Sequence, residues 1–166
     1  MKISYTLSKE ELEEAIKGAK FRISESAKLG LNHSTTYKRN MEKRIEEETV
    51  GIGAEIAWAR VKGVEWHNPI NEFHTVPDDG VLEIRATSHP RGGLIVRDND
   101  PLDRKYVFAS CDKPGGTYVF HGWAYGRDVV QEKNYWNPNG WRPAWRVSRD
   151  SLAAITNLEL GKQIKS

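Results

Sequence analysis

One cysteine, Cys111, is all that the 166-residue chain contains. A lone thiol forms no internal disulfide, and no Cys/His spacing matches a structural zinc site, so the fold has neither kind of staple. Long apolar runs are missing as well. No stretch approaches the roughly 20 residues that a membrane-spanning helix needs. The segment Met1-Lys2-Ile3-Ser4-Tyr5 lacks the apolar core of a secretory signal. These absences lead us to expect a cytoplasmic protein with no membrane partner. Excess charge of one sign is also scarce. A formal net charge of +2 excludes the strongly basic class of DNA-coating proteins and leaves room for a local basic groove. No G-X-S-X-G elbow, P-loop or Rossmann glycine pattern occurs, which removes support for acyl transfer and nucleotide-cofactor chemistry. The histidines His33, His67, His74, His89 and His121 show no metal-ligand spacing.

What remains is globular in character. Charged residues make up 29% and hydrophobic residues 38%, too apolar for a disordered chain and of a length that builds one domain. Six tryptophans are present, and Trp123, Trp136, Trp141 and Trp145 crowd the last third. Such a group serves either a packed core or an exposed stacking surface.

Ser8-Lys9-Glu10-Glu11 reads as a capping box that opens a helix. Leu12, Ile16, Ala19, Ile23 and Ala27 then recur at spacings of three and four as one apolar stripe, with Gly30 as a stop. A second helical stretch starts near Ser34 and runs to Gly63. Gly51 and Gly53 weaken it, so one kinked helix or two are expected. The run Glu46-Glu47-Glu48 reads as a solvated face. From Asn71 the period changes. Strands are expected over Glu72 to Val76, Val81 to Thr87, Gly93 to Arg97, Lys105 to Ser110 and Thr117 to Tyr125, separated by turn signals that favour a mostly antiparallel meander. Asp128 to Lys133 suits a helical turn, Tyr135 to Pro143 a loop, and Ser148 to Ile155 a last short helix. The expectation is a single α+β domain. Its helical part spans 1–63, its β-rich part 71–125, and its loop and C-terminal helix 126–166. The helices pack on a four- to five-stranded mixed, largely antiparallel sheet.

The stretch Pro77-Asp78-Asp79-Gly80-Val81-Leu82-Glu83-Ile84-Arg85 carries the chemistry. In a strand, alternate residues share a face. Leu82, Ile84 and Ala86 then face the helices, while Val81, Glu83 and Arg85 face the other way, with Asp79 of the same parity. Phosphodiester hydrolysis uses a divalent ion held by carboxylates; Mg²⁺ is hard and takes oxygen ligands. The ion activates water and neutralises phosphate charge, and a neighbouring cation stabilises the charge that develops. Asp79, Glu83 and Arg85 supply that set.

On these residues the sequence resembles the PD-(D/E)XK nuclease superfamily: Pro77-Asp78 is the first element and Glu83-Ile84-Arg85 stands as the (D/E)-X-K element. The resemblance implies a restriction-endonuclease-like core, a Mg²⁺ or Mn²⁺ cofactor and a nucleic-acid substrate, DNA above all. It also implies a glutamate on the helix before the sheet, for which Glu55 in Gly53-Ala54-Glu55-Ile56-Ala57-Trp58-Ala59 is the candidate. Glu55, Asp79 and Glu83 would then hold metal, with Arg85 as the cation. Strand parity favours Asp79 as the ligand, and the literal motif favours Asp78. Arg85 departs from the family's lysine and, being always charged, accepts no proton. The segment from about Gly51 to Tyr125 also looks like small phage and bacterial proteins with a helix glutamate, an Asp-Gly turn, a Glu-Val-Arg-like strand and a Gly-Trp strand. That likeness implies DNA handling in an infected bacterium.

Two basic groups suit a nucleic-acid groove. One is Arg91, Arg97, Arg104 and Lys105; the other is Arg142, Arg146 and Arg149 interleaved with Trp141 and Trp145. Asp98, Asp100 and Asp103 lie among the first group, so salt-laced turns explain it equally well. The run Asp98-Asn99-Asp100-Pro101-Leu102-Asp103 lacks the glycine and late glutamate of an EF-hand and reads as a tight turn. Two alternatives to a nuclease stand: a non-catalytic nucleic-acid binder on the same fold, and an interaction protein whose tryptophans form an oligomer interface.

Overall fold

The protein is described from a computed structural model, which covers residues 2–28, 41–66, 82–138, 140, 142–156 and 158. It is an α+β structure. In chain order the elements are β1 (Ile3–Thr6), α1 (Lys9–Lys28), α2 (Met41–Lys62), β2 (Leu82–Thr87), β3 (Leu94–Arg97), β4 (Lys105–Cys111), β5 (Thr117–Tyr125), the single helical turn α3 (Gly126–Val129) and β6 (Ala144–Val147). The strand expected over Glu72 to Val76 lies outside the described residues, as do Asp78, Asp79 and Val81.

Helix α1 begins with the reciprocal capping that its sequence implies. The Ser8 backbone N–H donates to Glu11 Oε1 at 2.9 Å, and the Glu11 N–H donates to Ser8 Oγ at 3.1 Å. Glu11 also takes Arg60 Nε at 2.7 Å and the Tyr5 hydroxyl at 2.9 Å, so one carboxylate ties β1, α1 and α2 together. Burial alone would raise its pKa, but the Ser8 amide, Arg60 and Tyr5 together hold it below the usual carboxylate value.

Helix α2 runs unbroken through Gly51 and Gly53, neither kinked nor split. The reason for Gly53 lies across the interface: a Cβ there would overlap the Tyr118 hydroxyl. That hydroxyl donates to the Val50 carbonyl at 2.9 Å and accepts the Gly115 N–H at 3.3 Å. It thereby pins α2 to β5. Gly63, at φ 72°, closes the helix, and the Val64 N–H returns to the Ala59 carbonyl at 2.9 Å.

The main sheet has the order β1-β5-β4-β2. The β1–β5 and β5–β4 pairs are antiparallel, while β2 runs parallel to β4 with Arg85 beside Phe108. This corrects the meander expected from the turn signals. Residues 88–104 form a crossover, and β3 within it leaves the main sheet to pair antiparallel with β6. Strand β6 falls in the C-terminal region where only a loop and a helix were expected. The expected final helix is reduced to a 3₁₀ turn, Arg149–Ser151, after which Ala153 bridges Trp123.

Two apolar cores result. Ala15, Ala19, Ile52, Ile56, Val107, Ala109, Tyr118 and Phe120 fill the layer between the helices and the sheet, joined by Leu82, Ile84 and Ala86 of β2. Leu94, Val96, Tyr106, Phe108 and Val129 fill the opposite layer, beneath the small β3–β6 sheet. Trp123 packs with the first core and Trp145 with the second.

The close approach at Tyr118 gives a direct test. Gly53→Val forces a branched side chain into the space of the Tyr118 ring. It is expected to lower unfolding free energy by about 1–3 kcal/mol in urea denaturation, whereas Gly51→Ala, where an added Cβ meets nothing within 4 Å, leaves stability equal or higher.

Candidate nucleic-acid interface and carboxylate cluster

Strand β2 presents Leu82, Ile84 and Ala86 to the helix layer, and Glu83 and Arg85 alternate onto the opposite side. There Arg85 lies over the Tyr106 ring, its guanidinium carbon 5.1 Å from the centroid. Arg85 Nη2 meets Glu83 Oε1 at 2.6 Å and Asp100 Oδ1 at 3.1 Å. Arg104 Nη1 takes the other Glu83 oxygen at 2.9 Å. Asp100 also accepts the Arg97 backbone N–H at 2.8 Å, which closes the turn after β3. Burial works against the charge on Arg85, but Glu83 and Asp100 outweigh it and raise its pKa. The Tyr106 phenol beneath is pushed up to about 12, first by burial and then by the same two carboxylates.

Glu55 projects from α2, the helix that packs on β2. Its partner is Arg22 of α1, at 3.2 Å between Nη1 and Oε2, and not Arg60, which Glu11 engages. Burial raises the Glu55 carboxyl pKa; Arg22 opposes the shift, and the negative charges of Glu48 and Glu83 add to it. Asp79, the third expected ligand, lies outside the described residues, and among those described no group of three metal-binding side chains gathers.

The basic residues separate into two sets. Arg142 is held at the surface by Asp98 at 3.3 Å and Asn99 at 2.7 Å. Arg104 is held by Glu83. Lys105 is buried between the Trp123 and Tyr125 rings, 5.8 and 5.7 Å from their centroids. It takes no part in a groove, which corrects the place given to it from sequence: in β4 it falls on the sheet interior. Arg91, Arg97 and Arg146 instead converge with Arg85 around a pocket of about 730 Å³, whose wall includes Ile95, Phe108 and Trp136. None of Arg91, Arg97, Arg146 or the adjoining Arg149 has a carboxylate partner among the described residues. Arg146 Nη2 donates to the Arg91 carbonyl at 2.5 Å, and Arg149 Nη2 to the Gly92 carbonyl at 2.9 Å. Gly93 lets β6 come this close, because a Cβ there would meet the Val147 carbonyl.

Alternation explains the pocket's chemistry. In β3, Leu94 and Val96 point into the core while Ile95 and Arg97 point out. Arg146 is the register partner of Ile95. The sequence placed Arg149 in a basic group with Arg146 and marked Trp136 only as one of four crowded tryptophans, core or stacking surface; its place on this wall depends on β6.

His121 borders the same wall, its ring 5.6 Å from that of Phe108. Lys2 Nζ lies 3.1 Å from Nδ1. Nε2 lies 2.6 Å from Ser110 Oγ and 3.4 Å from Arg149 Nη1; an ammonium and a guanidinium only donate, so the ring sits between two cations. Burial, then the charges of Arg149 and Lys2, lower the imidazole pKa to about 4.

Searches against family models, curated proteins and solved structures return no match to the chain. Among the described residues no helix is long and apolar enough to cross a membrane.

The His121 arrangement has a measurable sign. From an ordinary value of 6.5 down to about 4, the unfolded chain takes up a proton that the folded chain refuses. Stability is therefore expected to fall as pH drops through that window. Urea denaturation at pH 7.5 and pH 5 checks this, and His121→Gln should flatten the dependence. An NMR titration in which the His121 ring protonates near pH 6.5 would contradict the account.

Proposed function

We propose that the protein holds the phosphate backbone of DNA in the arginine pocket and hydrolyses it, with a divalent ion, at the adjoining carboxylates. The observation that carries this reading is the double membership of Arg85. It lines the pocket with Arg91, Arg97 and Arg146 and ion-pairs with Glu83 at 2.6 Å. A phosphate drawn into the pocket is therefore brought against the Glu83 strand. Four guanidinium groups, three of them without a carboxylate partner among the described residues, suit the planar, forked recognition of phosphate oxygens.

The donor chemistry fits a hard cation. Glu83 offers the oxygen ligands that Mg²⁺ or Mn²⁺ accepts, one or two carboxylates being its usual protein share; Asp79 and Glu55, the latter on the helix side of β2, would complete the set. Such an ion supplies an activated water and charge neutralisation on the phosphate. Arg85 stabilises charge on the non-bridging oxygens, and Arg91, Arg97 and Arg146 fix the backbone's path. Arg104 and Arg85 hold Glu83 oriented until substrate phosphate competes for Arg85. The resemblance to the PD-(D/E)XK superfamily supports the same assignment, with DNA in the cytoplasm of a bacterium as its setting.

Binding without cleavage is the second reading. It is favoured by the clamping of Glu83 between two arginines and of Glu55 by Arg22, which leaves each carboxylate already neutralised.

Plasmid, linear duplex, single-stranded DNA and RNA, incubated with Mg²⁺ or Mn²⁺, separate the two. Cleavage is expected, abolished by EDTA and by Glu83→Ala. Arg91→Ala combined with Arg146→Ala should weaken DNA binding by at least about tenfold and shallow its salt dependence by about two phosphate contacts. Arginine-dependent binding with no cleavage selects the second reading, and loss of neither property in these variants rejects both.

A further inference from the structure

We infer that the arginine pocket takes an unpaired nucleotide, its phosphate on the guanidinium groups and its base against Trp136, so that single-stranded DNA is the preferred ligand. The inference rests on phosphate binding at this pocket and adds the strand state.

Trp136 is the least expected member of the wall. A tryptophan in a protein of this size is ordinarily spent in the core, yet this ring is 38% exposed and faces the same cavity as four arginines. It is also held in place. Its backbone N–H donates to the Ala144 carbonyl at 2.8 Å, at the start of β6. The preceding Tyr135 bridges Trp145 and sets its ring edge-on to it at 5.8 Å and 74°. The Arg146 guanidinium lies 5.9 Å from the Trp136 centroid. A rigid aromatic face thus stands beside a cation that has no carboxylate partner among the described residues.

The chemistry selects the ligand. In a duplex each base is covered on both faces by its neighbours and shows proteins only its edges in the grooves. A ring can stack on a base only when that base is unpaired or turned out. Stacking platforms next to a cationic path are how proteins hold single strands without reading sequence. The cavity, at about 730 Å³, falls within the range of sites that enclose small molecules, about 300–1,000 Å³. It accommodates one nucleotide unit. Ile95 and Phe108 give the wall an apolar portion, which suits a base and serves no purpose for phosphate alone.

The test is fluorescence anisotropy with a labelled single-stranded DNA and the blunt duplex of the same sequence, in EDTA so that cleavage does not intervene. The single strand is expected to bind tighter by about tenfold or more. Trp136→Ala should remove most of that preference, weakening the single strand far more than the duplex, and Trp136→Phe should retain most of it. Equal binding of both ligands that still falls in the Arg91→Ala, Arg146→Ala protein overturns the strand inference and leaves the phosphate reading intact. Trp136→Ala weakening both ligands alike overturns it too. Binding that is absent, or indifferent to the arginine changes, overturns both.

Discussion

The parallel ladder between β2 and β4 governs the arrangement of everything on the exposed side of the molecule. Parallel neighbours need a crossover, and residues 88–104 supply it by carrying β3 over the second face of the sheet. That layer covers β4 from above while the helices cover it from below, which is why β4 is buried along nearly its whole length. Arg85 lies over Tyr106 because the two are near neighbours in that ladder. An antiparallel β2–β3 hairpin would place Arg91 and Arg97 along a sheet edge, with no cavity for them to line.

Charge is sorted by the same architecture. Glu11 takes Arg60, Glu55 takes Arg22, Glu83 takes Arg85 and Arg104, and Asp98 takes Arg142. The carboxylates that pair lie in the helical half, on β2 and in the turn after β3. The guanidinium groups of Arg91, Arg97 and Arg146 are left to share one wall, with Arg149 beside it. A chain of net charge +2 thus concentrates its positive potential at one place, where low-dielectric walls strengthen the field felt by an anion.

Local signals were legible in the sequence and long-range ones were not. The capping box at Ser8 and Glu11 is written within four residues, and the two-faced pattern of Leu82–Thr87 follows from strand geometry alone. Strand β1 is only Ile3–Thr6, and its partner Phe120 stands far along the chain, so nothing local distinguishes it from an extended terminus. Strand β6 is short and sits among Trp, Arg and Pro residues that read as loop. Lys105 looked like a groove cation because it follows Arg91, Arg97 and Arg104 in the chain; the face a strand residue takes depends on register, which that proximity does not supply. The Glu55–Arg22 pair joins two helices whose relative rotation no spacing rule supplies. The crowding of tryptophans left core and stacking surface open for Trp136, and the choice between them depends on β6, which was not foreseen.

Cys111 ends β4 with its side chain in the layer between sheet and helices, 3.8 Å from the Thr87 carbonyl. Burial pushes its thiol up to about 11, and only the thiolate reacts at a useful rate. The sole cysteine of the chain is consequently silent toward alkylating reagents while the helices stay seated. Its labelling rate becomes a clock for the transient parting of the helical layer from the sheet, read in the native sequence without an engineered probe.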